Sequence, residues 1–341
     1  MTEKPNWKIF NGTRQPHSGI KKLVGDPPNW RSFKGIAPEE EYFLPEENEF
    51  ERRYGKHTEA TGSTLNIDPE IINLVNAALY LRRPLFITGK PGSGKSSLAY
   101  AVAHELKLGK VLRWPITSRS TLLEGLYHYD AIGRLQNSKD GNTPDITQYL
   151  RLGPLGTALL PRKAPRVLLI DEIDKSDINL PNDLLNIFEE GEFYIPEIAR
   201  LSEDKPTEVL ASDSNKPIKL IFSEQERGYI RCCEFPFIIM TSNEEKEFPP
   251  AFLRRCLRLT MSTPTGTELE NIVKAHLGSQ SFEQAKEIFE HFEDKSESHD
   301  LSTDQLLNAI YLVSRGARPD LLIDENNKNL LSALLKPLSN D

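Results

Sequence analysis

Three short apolar runs stand out in the middle of the chain: 84–89 (PLFITG), 167–171 (VLLID) and 237–243 (FIIMTSN). Each stays apolar until its end, where small or polar residues take over. Runs of this kind predict strands covered on both faces, as in a parallel sheet, with functional groups at their carboxyl ends. Between them the spacing of apolar positions changes to three and four, in 96–108 (SSLAYAVAHELKL) and 178–191 (INLPNDLLNIFEEG). Strand and helix patterns that alternate in this way predict an α/β layer fold. After about residue 262 the pattern is helical throughout, in 265–278, 281–294, 302–316 and 327–338, with Thr267 and Ser302 at or near helix starts.

The pattern divides the chain into an N-terminal arm (1–61), an α/β core (62–261) and a small all-helical domain (262–341). The arm has little periodicity. It is basic at first, five positive charges in excess over residues 1–35, and then acidic, with seven glutamates between Ile36 and Lys56. Trp7 and Trp30 argue against a purely disordered tail, which has few aromatics. The arm either packs on its own core or orders on a partner. Two stretches of the core lack a clear period. One, 122–150, carries Tyr127, His128 and Tyr129 as a contact tip or as packing residues. The other, 194–231, is long, polar and rich in turn residues, which predicts a functional or mobile loop or else an inert surface insertion.

Composition narrows the function. The chain has 341 residues and a formal net charge of −8. That disfavours a general nucleic-acid-binding face, although the basic arm keeps a local contact open. No apolar run approaches the ~18 residues of a membrane helix, and the first ten residues lack a signal-peptide core. Cys232, Cys233 and Cys256 cannot form a disulfide framework, so a cytoplasmic protein without membrane contact is expected. The seven histidines do not cluster at metal-ligand spacing.

The chemistry lies at the strand ends. Gly89-Lys90-Pro91-Gly92-Ser93-Gly94-Lys95-Ser96 fits G-x-x-x-x-G-K-[ST], directly after one predicted strand and directly before a helix. Its glycines allow the backbone to turn so that N–H groups of the loop, through Ser97, face a phosphate, and the helix dipole adds positive potential. Lys95 would bridge the outer phosphates, and Ser96 would offer a hydroxyl to Mg²⁺. The second strand ends in Asp171 and Glu172. A buried carboxylate is costly without a task such as metal binding, which suits Asp171 as a Mg²⁺ ligand alongside Ser96. Glu172 suits a base for an attacking water, or is a solvated strand-end glutamate. Asn243, after the third strand, either orients that water or makes an ordinary turn.

In this order the residues resemble an AAA+ ATPase over about 66–331: a P-loop NTPase core of parallel sheet and flanking helices, followed by a helical lid. Within AAA+ the chain looks most like the MoxR group and its dynein-related neighbours. Gly153-Pro154-Leu155, the segment 188–193 (FEEGEF) and the segment 240–256 carry that likeness. The resemblance implies ATP and Mg²⁺ as cofactors and a homo-oligomeric ring, commonly hexameric. It also implies work on a separate protein partner, of the von Willebrand A type. Asn243 then corresponds to sensor 1, and Arg255 to the arginine finger given to a neighbour. Arg254 stands where the family often has aspartate. Sensor 2 falls on Arg318 or Arg315, because Asp320 occupies the usual arginine position. Ile67, Asp68 and Pro69 are candidates to flank the base, or simply start a helix. Two other readings stay open. One is an ATP-dependent assembly switch in signalling or defence. The other is a nucleic-acid-linked or GTP-using motor; the guanine motif N-K-x-D is absent, since Asn215-Lys216 is followed by Pro217-Ile218.

Overall fold

A five-stranded parallel sheet organises the molecule. The structure, a computed structural model, describes residues 7–38, 44–46, 49–56, 67–137, 145–201, 207–220, 222, 226–296, 301–316 and 331–336. Among them the strands are β1 (Leu85–Thr88), β2 (Leu112–Pro115), β3 (Tyr127–Tyr129), β4 (Leu150–Leu152), β5 (Val167–Asp171), β6 (Glu192–Tyr194), β7 (Thr207–Leu210), β8 (Pro217–Leu220), β9 (Tyr229–Arg231), β10 (Phe237–Ser242) and β11 (Leu257–Thr260). The main sheet runs β11-β1-β10-β5-β2, parallel throughout. β10 lies between β1 and β5, with Leu85 beside Ile239 and Val167 beside Phe237. The chain is therefore an α/β protein with a central parallel sheet flanked by helices.

The unbroken apolar runs have a simple cause. On β5, Val167 and Leu169 face one buried cluster, while Leu168 and Ile170 face another. On β10, Phe237 and Ile239 divide in the same way from Ile238 and Met240. Alternate residues point to opposite faces, and both faces are covered. One cover is formed by the Pro69–Leu81 and Ser97–Glu105 helices, the other by the Pro154–Ala158 and Leu180–Glu190 helices.

The two aperiodic stretches are not loops. The segment 122–150 contains the Leu122–Leu126 and Ala131–Asn137 helices, β3 and the start of β4. The segment 194–231 contains the Pro196–Ala199 helix, β7, β8 and β9. β3, β4, β7 and β8 join in a second sheet, and β6 pairs antiparallel with β9. The expectation of one long loop is thus corrected. β7 and β8 are four residues each, too short for alternation to show, and β4 finds β7 through the single pair Arg151–Leu210. Tyr127 is buried and donates its hydroxyl to Glu197 at 3.1 Å, so it packs; His128 is exposed.

The described part of the arm lies against the core. Its anchors are Ile9 and Phe10, 3% and 0% exposed, whereas Trp7 and Trp30 are 47% and 75% exposed. Buried Asn76 accepts from the Ile9 and Phe10 amides (2.6 and 3.0 Å) and donates to the Phe10 carbonyl (2.7 Å). Buried Glu105 accepts from the Asn11 and Thr13 amides. The 61/62 division falls in 57–66, outside the described residues.

Beyond the core, the Gly266–Leu277, Ser279–Gln284, Lys286–Ser296 and Thr303–Ser314 helices share their own apolar cluster. Ser302 caps the last of these through a capping box with Gln305. Thr265, rather than Thr267, precedes the first. Among the described residues, no helix is long and apolar enough to cross a membrane.

Two outcomes are expected. Asn76→Ala leaves two buried arm amides unpaired, so chemical denaturation should show a loss of about 2–4 kcal/mol. His276, held below its ordinary pKa by burial, binds a proton more readily unfolded than folded. Its contribution to stability is therefore present above ~6.5 and is lost as pH falls below that value, with a slope of at most ~1.4 kcal/mol per unit. Melting curves from pH 7 to 5 should show this loss, and His276→Asn should flatten it.

Candidate phosphate and metal site

The loop 89–96 leaves the carboxyl end of β1 and enters the Ser97–Glu105 helix, as its glycines require. Gly89 has φ +144°, and a Cβ there would lie 2.2 Å from the Met261 carbonyl oxygen. Gly92 has φ +81°, with Thr303 N 3.0 Å from where a Cβ would be. Only glycine fits both conditions. The Lys95 ammonium curls back onto the loop and donates to the Gly89 and Lys90 carbonyls at 2.6 and 2.8 Å. Burial holds its pKa below the ordinary lysine value, opposed by Asp174, Glu172 and Asp171.

The centre of the site is Asp171 on β5. Its Oδ1 accepts from the Ser96 hydroxyl (2.6 Å) and the Thr241 hydroxyl (2.9 Å). Its Oδ2 accepts from Nε and a terminal nitrogen of Arg113 on β2 (3.1 and 2.7 Å). Burial pushes the Asp171 carboxyl up, but these three donors outweigh burial and hold it below the usual carboxylate value. The strand order makes the meeting possible: Ser96 follows β1, Thr241 ends β10, Asp171 ends β5 and Arg113 sits on β2. Neither Thr241 nor Arg113 was visible to motif reading. The only sequence signals were that Thr241 is the first polar residue after an apolar run and that Arg113 interrupts one.

Glu172, next in the chain, takes a left-handed conformation, φ +59°. Its amide is held by Thr241 Oγ1 at 2.9 Å, and its carboxylate accepts from Lys175 Nζ at 2.7 Å. Asp174 is 1% exposed and accepts from the Asn243 and Glu245 amides at 2.7 and 3.3 Å. Its role is thus to pin the Asn243 backbone. Glu172, Asn243, Asp171 and the loop therefore converge on one end of the sheet.

Arg255 does not join them. It precedes β11, at the end of the sheet where β1 begins, since Leu257 pairs beside Leu85. Gly89 lies beyond the other end of β1, ~13 Å along a four-residue strand. Arg255 donates to Glu189 (2.7 Å) and the Ala251 carbonyl (3.0 Å). It is therefore placed away from the site within the chain. Arg315 stacks on Tyr311, 5.2 Å from its ring centroid, while Arg318 lies outside the described residues. Asp68 caps the Pro69–Leu81 helix and accepts from the Glu70 amide, which is the helix-start role.

The residues fit a nucleotide phosphate with Mg²⁺. The Ser93 hydroxyl is buried in the loop with no partner among the described residues, a donor in reserve beside the cradle. Ser96 and Asp171 are hard oxygen ligands already in contact, as Mg²⁺ prefers.

A family model described as AAA domain (dynein-related subfamily) matches residues 84–256, just over half of the chain. No curated protein matches it.

Thr241→Val keeps shape but removes one donor from Asp171 and one acceptor from the Glu172 amide. Thermal or urea unfolding at pH 7 should show a loss of about 1–3 kcal/mol. An unchanged midpoint would mean that the tie contributes nothing.

Proposed function

Because the chain belongs to the dynein-related AAA family, we propose that it is a Mg²⁺-dependent ATPase whose active sites are completed between subunits of a ring. The observation that carries this reading is the Ser96–Asp171–Thr241 tie. It holds phosphate loop, acidic strand end and polar strand end together on three adjacent parallel strands.

Ser96 and Asp171 would hold Mg²⁺, which when bound offsets phosphate charge and polarises the transferred phosphoryl group. Lys95 gives up its loop carbonyls for phosphate oxygens. Glu172 orients and polarises the attacking water, which requires its carboxylate to leave Lys175. Asp174 fixes the backbone of Asn243, so the side-chain amide of Asn243 is offered to that water from a set point. Arg255, at the opposite end of the sheet, serves the neighbouring subunit, where its planar charge meets charge developing on the phosphoryl group. Arg315 or Arg318 would read the phosphate from the helical lid. Thr303 already links those helices to the loop by donating to the Gly92 carbonyl at 3.2 Å.

The finer placement is MoxR-like, with hydrolysis used to remodel a separate protein, of the von Willebrand A type. Support comes from Gly153-Pro154-Leu155, where a Cβ on Gly153 would lie 2.3 Å from the Glu124 carbonyl oxygen. The triplet thus brings the start of the Pro154–Ala158 helix against the Leu122–Leu126 helix. The Glu172–Lys175 pair favours a second reading, a slow assembly switch, because it occupies the base.

Specific ATPase activity should rise with protein concentration and then saturate, for ATP and not for GTP. Glu172→Gln should keep nucleotide bound and lower kcat by ~10²-fold or more. Arg255→Ala should lower the rate by ~10³-fold, and mixing it with Lys95→Ala subunits should restore part of it. Full turnover in Glu172→Gln, or no recovery on mixing, would refute the assignments.

A further inference from the structure

All the acceptor capacity of Asp171 is in use. A carboxylate offers about four lone-pair positions. Ser96 and Thr241 take those of Oδ1, and the two nitrogens of Arg113 take those of Oδ2. An ion or its hydrating water can reach Asp171 only if a donor leaves. Thr241 is 1% exposed and is also held by the Glu172 amide, so it cannot turn away cheaply. Ser96 is itself the hydroxyl that a cation at this place would share. Arg113 is different: it lies on the edge strand β2, its side chain is 48% exposed, and water awaits it outside the site. Its neighbours Leu112 and Trp114 are buried on the other face and hold the strand, so the guanidinium can swing out without moving the backbone.

We propose that Arg113 is a resident counter-cation of Asp171, standing where the charge of Mg²⁺ acts and yielding to it, so that it sets how strongly Mg²⁺ and nucleotide binding are coupled. The inference rests on the nucleotide-binding reading of the same site. Arg113 lowers the cost of the buried carboxylate near phosphate when the metal is scarce, and it opposes the metal when the metal is plentiful. Both effects weaken the coupling, and by linkage the coupling is the same whichever ligand is varied.

The test uses the full chain and a fluorescent mant-ADP probe. Its Kd is measured in excess EDTA and in saturating Mg²⁺, and the ratio of the two is the readout. Arg113→Gln, and Arg113→Thr as a second neutral residue suited to an edge strand, should raise that ratio roughly 5–10-fold over wild type. Arg113→Lys, which keeps the charge, should stay within about threefold of wild type. A ratio that is unchanged or lower in the neutral variants overturns the proposal, as does a lysine variant that rises as far as glutamine. Wild-type protein that binds no nucleotide under either condition overturns the binding reading and this inference with it; wild-type binding with a flat variant series overturns the inference alone.

Discussion

A single buried carboxylate imposes the tightest constraint on this molecule. Asp171 ends a strand with no exposed position, and an unmet charge there would cost several kcal/mol. Its four hydrogen bonds come from residues far apart in sequence: Ser96 after β1, Arg113 on β2 and Thr241 on β10. The sheet must therefore keep β10 between β1 and β5, and β2 beside β5, or the charge goes unpaired. Structure and chemistry thus share one requirement, since the donors that stabilise Asp171 are also those that place it against the phosphate loop.

The same order explains the rest of the site. β10 delivers Thr241 to Asp171 and Asn243 to Asp174, so one central strand reaches both acidic residues. Thr241 also holds the amide of Glu172, whose left-handed backbone projects its side chain away from the strand line. The sheet can supply such groups only if both faces are dry. The arm contributes to one face through Ile9 and Phe10, and the β3-β4-β7-β8 sheet and the β6-β9 pair contribute to the other. Segments with weak patterns of their own thereby support the strands with the strongest.

Legibility followed the size and regularity of each signal. β1, β5 and β10 were readable because three or four hydrophobic residues in a row admit few alternatives once glycine, acidic or small polar residues punctuate them. β2 and β11 were not, since Arg113 and Arg258 break their runs; an edge strand needs only one dry face, as the burial of alternate residues in β2 shows. In the arm the tryptophans drew attention, yet the buried anchors are smaller residues that no period marks. What holds them is Asn76 on a helix more than sixty residues away.

The sequence alone determined the α/β class, the phosphate loop, and Asp171 and Glu172 at a strand end, because these depend on local spacing and on side-chain chemistry that tolerates few substitutes. Tertiary structure alone decided that Arg113 and Thr241 complete Asp171, that Asp174 pins Asn243, and that Arg255 sits at the opposite end of the sheet. Each of these joins residues or levels that only strand order brings together or keeps apart, and a buried charge finds its partners by position in space, not by distance along the chain.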